Sequence, residues 1–362
     1  MKLGEACFLK SGKNITAKEI YVSPKDNLYP CYGGNGLRGY VDKYNYEGDY
    51  NLIGRQGALC GNINRVNGKF YATEHAVVVT PLISLDIDWL YFALVGMDLN
   101  QYHTGAAQPG LNIDILNNLE IDVPIIGEQI AQATVLNKIN GMIRNRKREL
   151  EKLDDLIKAR FVEMFGDLHY NPKGWDIKSF DELTILITDG EHATPRRVEQ
   201  GIYLLSARNV HNHSLQLADV DYIDEEEYER IAKRIIPQEG DVLISCSGTV
   251  GRCCSVPAGI KFQMVRSAAL LRFKDSINPV FAEYMITSDY IQEQINSSKT
   301  ASSQANLFQG KIAKLKGFVP PIELQNEFLN FVAQVDKSKA QVQKALNETQ
   351  LLFDSLMQEY FG

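Results

Sequence analysis

Residues 123–166 read VPIIGEQIAQATVLNKINGMIRNRKRELEKLDDLIKARFVEMFG, and residues 319–362 read VPPIELQNEFLNFVAQVDKSKAQVQKALNETQLLFDSLMQEYFG. The two align without a gap, and the alignment extends upstream to cover 104–166 against 300–362. Gln108 maps to Gln304, Leu111 to Leu307, Gln129 to Gln325, Leu150 to Leu346, and Phe165-Gly166 to Phe361-Gly362. A constant offset over such a length marks an internal duplication. In the first copy Leu136, Ile139, Ile143, Leu150, Leu153, Ile157 and Met164 fall at a/d heptad spacing. In the second, Val332, Val335, Val342, Leu346, Phe353, Leu356 and Tyr360 do the same, with Arg146 and Lys339 as interruptions. No proline breaks either run. The pattern predicts two coiled-coil helices, each about 39 residues and roughly 58 Å long at 1.5 Å per residue. Each most simply packs on the other, and sequence alone leaves their relative orientation open.

Working outward, residues 1–125 and 167–321 are rich in Gly, Asn, Tyr and short β-type runs such as HAVVVT (75–80) and GDVLIS (240–245). They read as α+β globules. Ile53 to Leu59 (IGRQGAL) parallels Ile244 to Val250 (ISCSGTV), so the globules are themselves weakly related. The predicted organisation is a globule over 1–125, a helix over 126–166, a second globule over 167–321 and a second helix over 322–362. It has pseudo-twofold symmetry.

Composition limits the function. The chain has 362 residues, 44% hydrophobic and 23% charged, as expected of a folded protein of two or three domains. The longest apolar run, Trp89 to Met97, is too short to span a bilayer. Glu5 and Lys10 interrupt the N-terminus where a signal peptide needs apolar residues, which favours the cytoplasm. The six cysteines lack metal-site or C-x-x-C spacing and read as reduced thiols. Net charge is −7, which alone argues against a nucleic-acid partner. However, seven acids lie between Asp219 and Glu229, and without them residues 167–362 would carry +1. The acidity is one patch, and a positive face elsewhere stays open.

Gly34 to Gly39 matches G-x-G-x-x-G, but no helix start follows, so these glycines read as turn residues. There is no Walker A sequence and no N-P-P-[FY] tetrad. The six histidines form no H-x-x-x-H pair, and His211 and His213 sit in a polar loop that predicts solvated rings. What the loops do hold is chemistry suited to base edges. Arg38, Arg55 with Gln56, Gln108 with Asn112, Arg196 with Arg197, Arg208 with Asn209, Arg252, and Gln304 with Asn306 sit beside Gly, Ser or Pro. Arg reads guanine bidentately, and Asn or Gln reads adenine. Thr249, Ser302 and Ser303 suit phosphate oxygens. The run Arg144 to Arg148 reads as a solvated helix face.

These residues resemble the specificity (S) subunit of type I restriction-modification systems along essentially the whole chain. Ile187 to Pro195 (ITDGEHATP) is similar to the opening of a target recognition domain, which adds His192 and Thr194 to the candidate DNA contacts. Leu204 to Val210 (LLSARNV) and Gly240 to Arg252 (GDVLISCSGTVGR) are similar to its later blocks, which adds Ser247. Tyr29 to Tyr40 (YPCYGGNGLRGY) and Tyr71 to Val78 (YATEHAVV) resemble another common version. Val123-Pro124 with Glu128-Gln129 resembles the domain-to-helix junction, Leu153 to Gly166 the end of the first long helix, and Asn171 to Trp175 (NPKGW) the start of the second recognition domain. The second junction departs, with Leu324-Gln325 in place of Glu-Gln.

The resemblance implies two target recognition domains on an antiparallel coiled coil, each reading half of a bipartite double-stranded DNA target. It implies a subunit that catalyses nothing and binds no cofactor. Two methyltransferase subunits would carry S-adenosylmethionine, and nuclease-translocase subunits would use ATP and Mg. Leu150, Leu153, Ile157, Leu346, Phe353 and Leu356 are the candidate coiled-coil or methyltransferase-facing positions. The alternative from another class is a scaffold that assembles partners through its coiled coil and does not touch DNA.

Overall fold

The computed structural model describes residues 1–57, 59–105, 109–298 and 306–362. The chain divides into two compact units, and neither is a single stretch of sequence. The first comprises Met1–Glu149 with Gln341–Gly362, and the second Leu150–Ala340.

In the first unit the elements are α1 (Leu3–Ala6), β1 (Cys7–Ser11), β2 (Tyr29–Gly33), β3 (Gly36–Val41), β4 (Tyr46–Glu47), β5 (Tyr50–Gly54), β6 (Ile63–Val66), β7 (Lys69–Ala72), β8 (Ala76–Pro81), α2 (Ile87–Gly96) and α3 (Ile113–Asn118). Then comes the long helix α4 (Ile126–Phe165), whose residues up to Glu149 belong to this unit. One sheet has the order β1-β8-β5-β6 and the other β3-β2-β7-β4. In β8, Ala76 to Val79 are all buried, as a strand covered on both faces requires.

The second unit holds β9 (Asp176–Ser179), α5 (Phe180–Leu183), β10 (Thr184–Asp189), β11 (Ile202–Leu205), β12 (Val210–His211), β13 (Ser214–Leu215), β14 (Asp221–Ile223), α6 (Glu225–Ala232), β15 (Val242–Ser245), β16 (Cys253–Ser255), β17 (Phe262–Met264), β18 (Ala268–Phe273), α7 (Pro279–Thr287), α8 (Asp289–Ser298), α9 (Gln309–Ile312), β19 (Lys316–Val319) and the long helix α10 (Ile322–Phe361). Its main sheet, β10-β18-β15-β16, repeats the order β1-β8-β5-β6. The parallel pair β11/β17 repeats β2/β7. The weak likeness of the globules in sequence is thus a shared topology.

Each long helix is attached to its globule by a buried glutamine. Gln129 accepts from the Asp86 amide (2.8 Å) and donates to the Pro124 carbonyl (2.8 Å). Asp86 is the N-cap of α2. Gln325 accepts from the Asn278 amide (2.8 Å) and donates to the carbonyls of Pro320 and Ser276. Asn278 is the N-cap of α7. Thus one side chain joins the first turn of a long helix, the proline segment that precedes it, and the cap of the helix packed beside it. Both are at most 1% exposed, so every lost hydrogen bond would leave a desolvated group.

Within each unit the two long-helix segments run antiparallel. In the first, Trp89 meets both Gln132, near the start of α4, and Phe361, at the end of α10. Farther along, Arg146 donates to the Ala345 carbonyl. In the second, Lys339 pairs with Asp154 (2.6 Å) and Arg160 with Glu327 (3.2 Å). The heptad interruptions Arg146 and Lys339 are therefore satisfied across the helix pair. Phe161, Phe165, Phe281, Phe318 and Phe328 form one aromatic cluster in the second unit. The matching place in the first unit holds Trp89 against Phe361 and Phe92 against Phe353. Leu153 and Ile157 lie on the second unit's core, and Leu346 is 8% exposed. These candidate positions therefore face their own chain. All six cysteines are unpaired and buried, and burial pushes the thiols of Cys7, Cys246 and Cys254 up to about 12. Those three thiols are poor nucleophiles.

The Gln325→Leu variant is expected to lose about 1–3 kcal/mol, the cost of stranding buried polar partners. Amide exchange over Asn278 to Ala282 should accelerate in it, and wild-type exchange there would remove the junction from this role.

Candidate nucleic-acid interface

The candidate side chains gather where the main sheet of each unit opens into loops, and one hydrogen-bond frame builds both openings. In the first unit the Arg55 amide donates to the His75 carbonyl (2.8 Å) and the Leu111 amide to the Arg55 carbonyl (2.9 Å). Gln56 and Gly110 form a β-bridge. In the second unit the Cys246 amide donates to the Ser267 carbonyl (2.7 Å) and the Leu307 amide to the Cys246 carbonyl (2.9 Å). Ser247 and Asn306 form the corresponding bridge. Gln108 and Gln304 lie outside the described residues, as do Ser302 and Ser303.

In the first unit the G-x-G-x-x-G stretch is the β2–β3 hairpin, with Gly33 paired to Gly36 and Gly34-Asn35 joining them. A Cβ on Gly54 would sit 1.9 Å from the Gly34 carbonyl oxygen, so glycine is needed to seat the turn on the end of β5. An open cavity of about 400 Å³ lies at this turn, lined by Asn35, Arg38, Gln56 and His75 among others. Arg38 and Gln56 are exposed. Arg55 and Asn112 depart from their expected use. The Arg55 guanidinium donates to Ser11 Oγ (3.2 Å) and the Leu111 carbonyl (3.3 Å), which ties β1 to the 110–111 segment. Asn112 caps α3 by accepting from the Asp114 amide (2.9 Å).

In the second unit most of the arginines are already partnered. Arg196 pairs with Asp224 (2.7 Å) and Glu226 (2.8 Å), and Arg197 with Asp221 (2.9 Å). Arg208 pairs with Asp221 (2.9 Å) and, more loosely, Asp219 (3.7 Å). The acidic patch is thus folded against the loop arginines. Burial works to raise the Asp221 carboxyl pKa, but hydrogen bonds from Arg197 and Arg208 outweigh it and hold it below the usual range. Exposed pairs of this kind contribute only ~0–1 kcal/mol each, so their main effect is to set where positive charge is available. His192 pairs with Asp189 (2.8 Å), and Thr194 and Thr249 are exposed.

Asn209 is a clear correction. It is 1% exposed, accepts from the Ser206 amide, and donates to the Gln216 and Asp219 carbonyls. Its amide builds the loop and cannot reach a base. Arg252 donates to the Ala207 carbonyl (2.8 Å), bracing the same loop. His213 also departs from the solvated ring expected: it bonds buried Glu283 (2.8 Å) and stacks on Tyr284, with centroids 4.2 Å apart. Two residues missed in the sequence stand out. His75 lines the first cavity, and Arg266 is exposed, without a side-chain partner among the described residues, next to Ser267 in the second opening. The sequence marked His75 only as part of Tyr71 to Val78 and Arg266 not at all, because their importance comes from the turn between paired strands.

Among the described residues, no group of three or more His, Cys, Asp and Glu side chains could hold a metal ion. No described helix is long and apolar enough to cross a membrane.

Two doubled α+β units with polar loop openings define a modular recognition protein. Residues 1–154 and 199–349 each match the profile of the type I restriction modification DNA specificity domain, and the chain belongs to that family. It is 48% identical over 141 residues to the type I restriction enzyme EcoprrI specificity subunit of Escherichia coli, which covers 39% of this chain and 35% of that protein. It is 22% identical over 330 residues to a putative type I specificity subunit, S.HindORF215P, of Haemophilus influenzae, covering 84% and 79%. The chain thus spans about a third of the first relative's length and four-fifths of the second's. The crystal structure of the type I restriction-modification S subunit from M. genitalium shares the fold, with a TM-score of 0.62, 18% identity, and coverage of 100% of this chain and 95% of that one. A chain from a study of type I complex assembly and conformational transition shares it at a TM-score of 0.56 and 16% identity, covering 100% and 96%.

Asp221→Asn is expected to release Arg197 and Arg208. Non-sequence-specific DNA affinity should rise, and the salt dependence of binding should steepen by about one phosphate contact. An unchanged salt slope would mean that these arginines stay away from phosphates.

Proposed function

We propose that each globule of this DNA-recognition subunit reads one half of a bipartite, asymmetric DNA target. The observation that carries the reading is one backbone frame furnished with different side chains: His75 and Gln56 stand in one opening where Ser267 and Ser247 stand in the other. A shared frame suits equivalent placement on DNA, and unlike side chains suit unlike half-sites. The paired long helices act as the spacer between the halves.

In this reading the chain works in a cytoplasmic complex with double-stranded DNA, two methyltransferase subunits and nuclease-translocase subunits. It catalyses nothing itself. Methyl transfer from S-adenosylmethionine, and ATP- and Mg-dependent translocation, belong to those partners. The methyltransferase subunits would dock on apolar side chains that the chain leaves open, such as Ile130 (50% exposed) and Leu351 (71%). A net charge of −7 and the paired arginines favour weak DNA binding alone, with partners supplying most of the phosphate neutralisation.

Single-molecule methylome sequencing of a host carrying the adjacent methyltransferase, with and without this chain, tests the reading. A bipartite asymmetric motif that needs the chain is the expected outcome. An assembled complex with no chain-dependent motif would favour the scaffold alternative.

A further inference from the structure

We infer that the cavity at the β2–β3 turn is the base-reading pocket of the first globule, that it receives a purine edge, and that Arg38, Gln56 and His75 determine its specificity. This rests on the DNA-recognition reading above and names the side chains that would perform it.

The shared frame makes the comparison direct. His75 and Ser267 occupy the same place, each offering its carbonyl to the residue after the central strand. In the second globule a loop is tied to that place. Ser267 Oγ accepts from the Ala207 amide (3.0 Å), and the Arg252 guanidinium holds the Ala207 carbonyl. In the first globule an open cavity of about 400 Å³ lies at His75. His75 lines it, partly exposed, with its Nε2 held on the Glu74 carboxylate (3.2 Å).

The rim has the matching chemistry. Arg38 and Gln56 line the cavity, are exposed, and have no side-chain hydrogen bond or ion pair among the described residues. Arg38 differs in this from Arg196, Arg197 and Arg208, which carboxylates occupy. A free guanidinium matches guanine O6 and N7, and a free glutamine amide matches adenine N6 and N7, with the His75–Glu74 pair as the wall beside them. The close seating of Gly34 on Gly54 fixes the turn in advance, which lowers the ordering cost of binding.

The test uses the assembled methyltransferase complex carrying Arg38→Ala, Gln56→Ala or His75→Ala, read by methylome sequencing. Each variant is expected to lose roughly ten- to hundred-fold discrimination at one or two base pairs of a single half-site. The other half and the spacer should be unchanged. If His75→Ala fails to assemble, the exposed Arg38 and Gln56 variants decide. Wild-type stringency in both of those, or relaxation in the other half-site, would overturn the assignment while leaving the DNA reading intact. A wild-type complex that directs no motif would overturn the DNA reading itself.

Discussion

Two buried glutamines hold this architecture together. Gln129 and Gln325 sit at the same step of the duplication, and each spends its amide on three neighbouring pieces of its unit. A glutamine amide can accept and donate at once, and at zero to one per cent exposure it must do both. The direction in which each long helix leaves its globule follows from that constraint. Hydrophobic packing adds strength, through Phe165 in one unit and Phe361 in the other, but packing alone tolerates sliding. The hydrogen-bonded junction sets the register.

On this fixed frame, function is left to side chains that the frame does not use. The main-chain bonds at Arg55, His75 and Leu111 are repeated at Cys246, Ser267 and Leu307. Around them the chemistry diverges. One opening has Arg38 beside an open cavity, while the other braces its loop with Arg252 and Asn209 and pairs Arg196, Arg197 and Arg208 with acids. A duplicated scaffold with independently varied openings gives one chain two chemically different surfaces.

Much of this was legible in the sequence. The long helices followed from a/d periodicity, the absence of proline and the constant offset, all local features of the chain. The glycine turn at 34–39 was legible because no helix followed it. The composition of the two compact units was not. Each borrows half of a helix from a distant part of the chain, and no local pattern encodes that. Nor could sequence tell free arginines from occupied ones. Arg38 and Arg196 look alike in one dimension, but Asp224, 28 residues away, reaches only the second. Asn209 looked like a base reader for the same reason, since its partners lie at turns that only folding brings together.

If the two globules read independently on a common frame, each half of the motif follows one globule. Exchanging residues 167–321 for the same segment of a family member with a different target, and sequencing the resulting methylome, tests this most directly. Independent reading predicts that one half of the motif changes to the donor's while the other half and the spacer stay as they were. A motif altered in both halves, or unaltered in either, would contradict it.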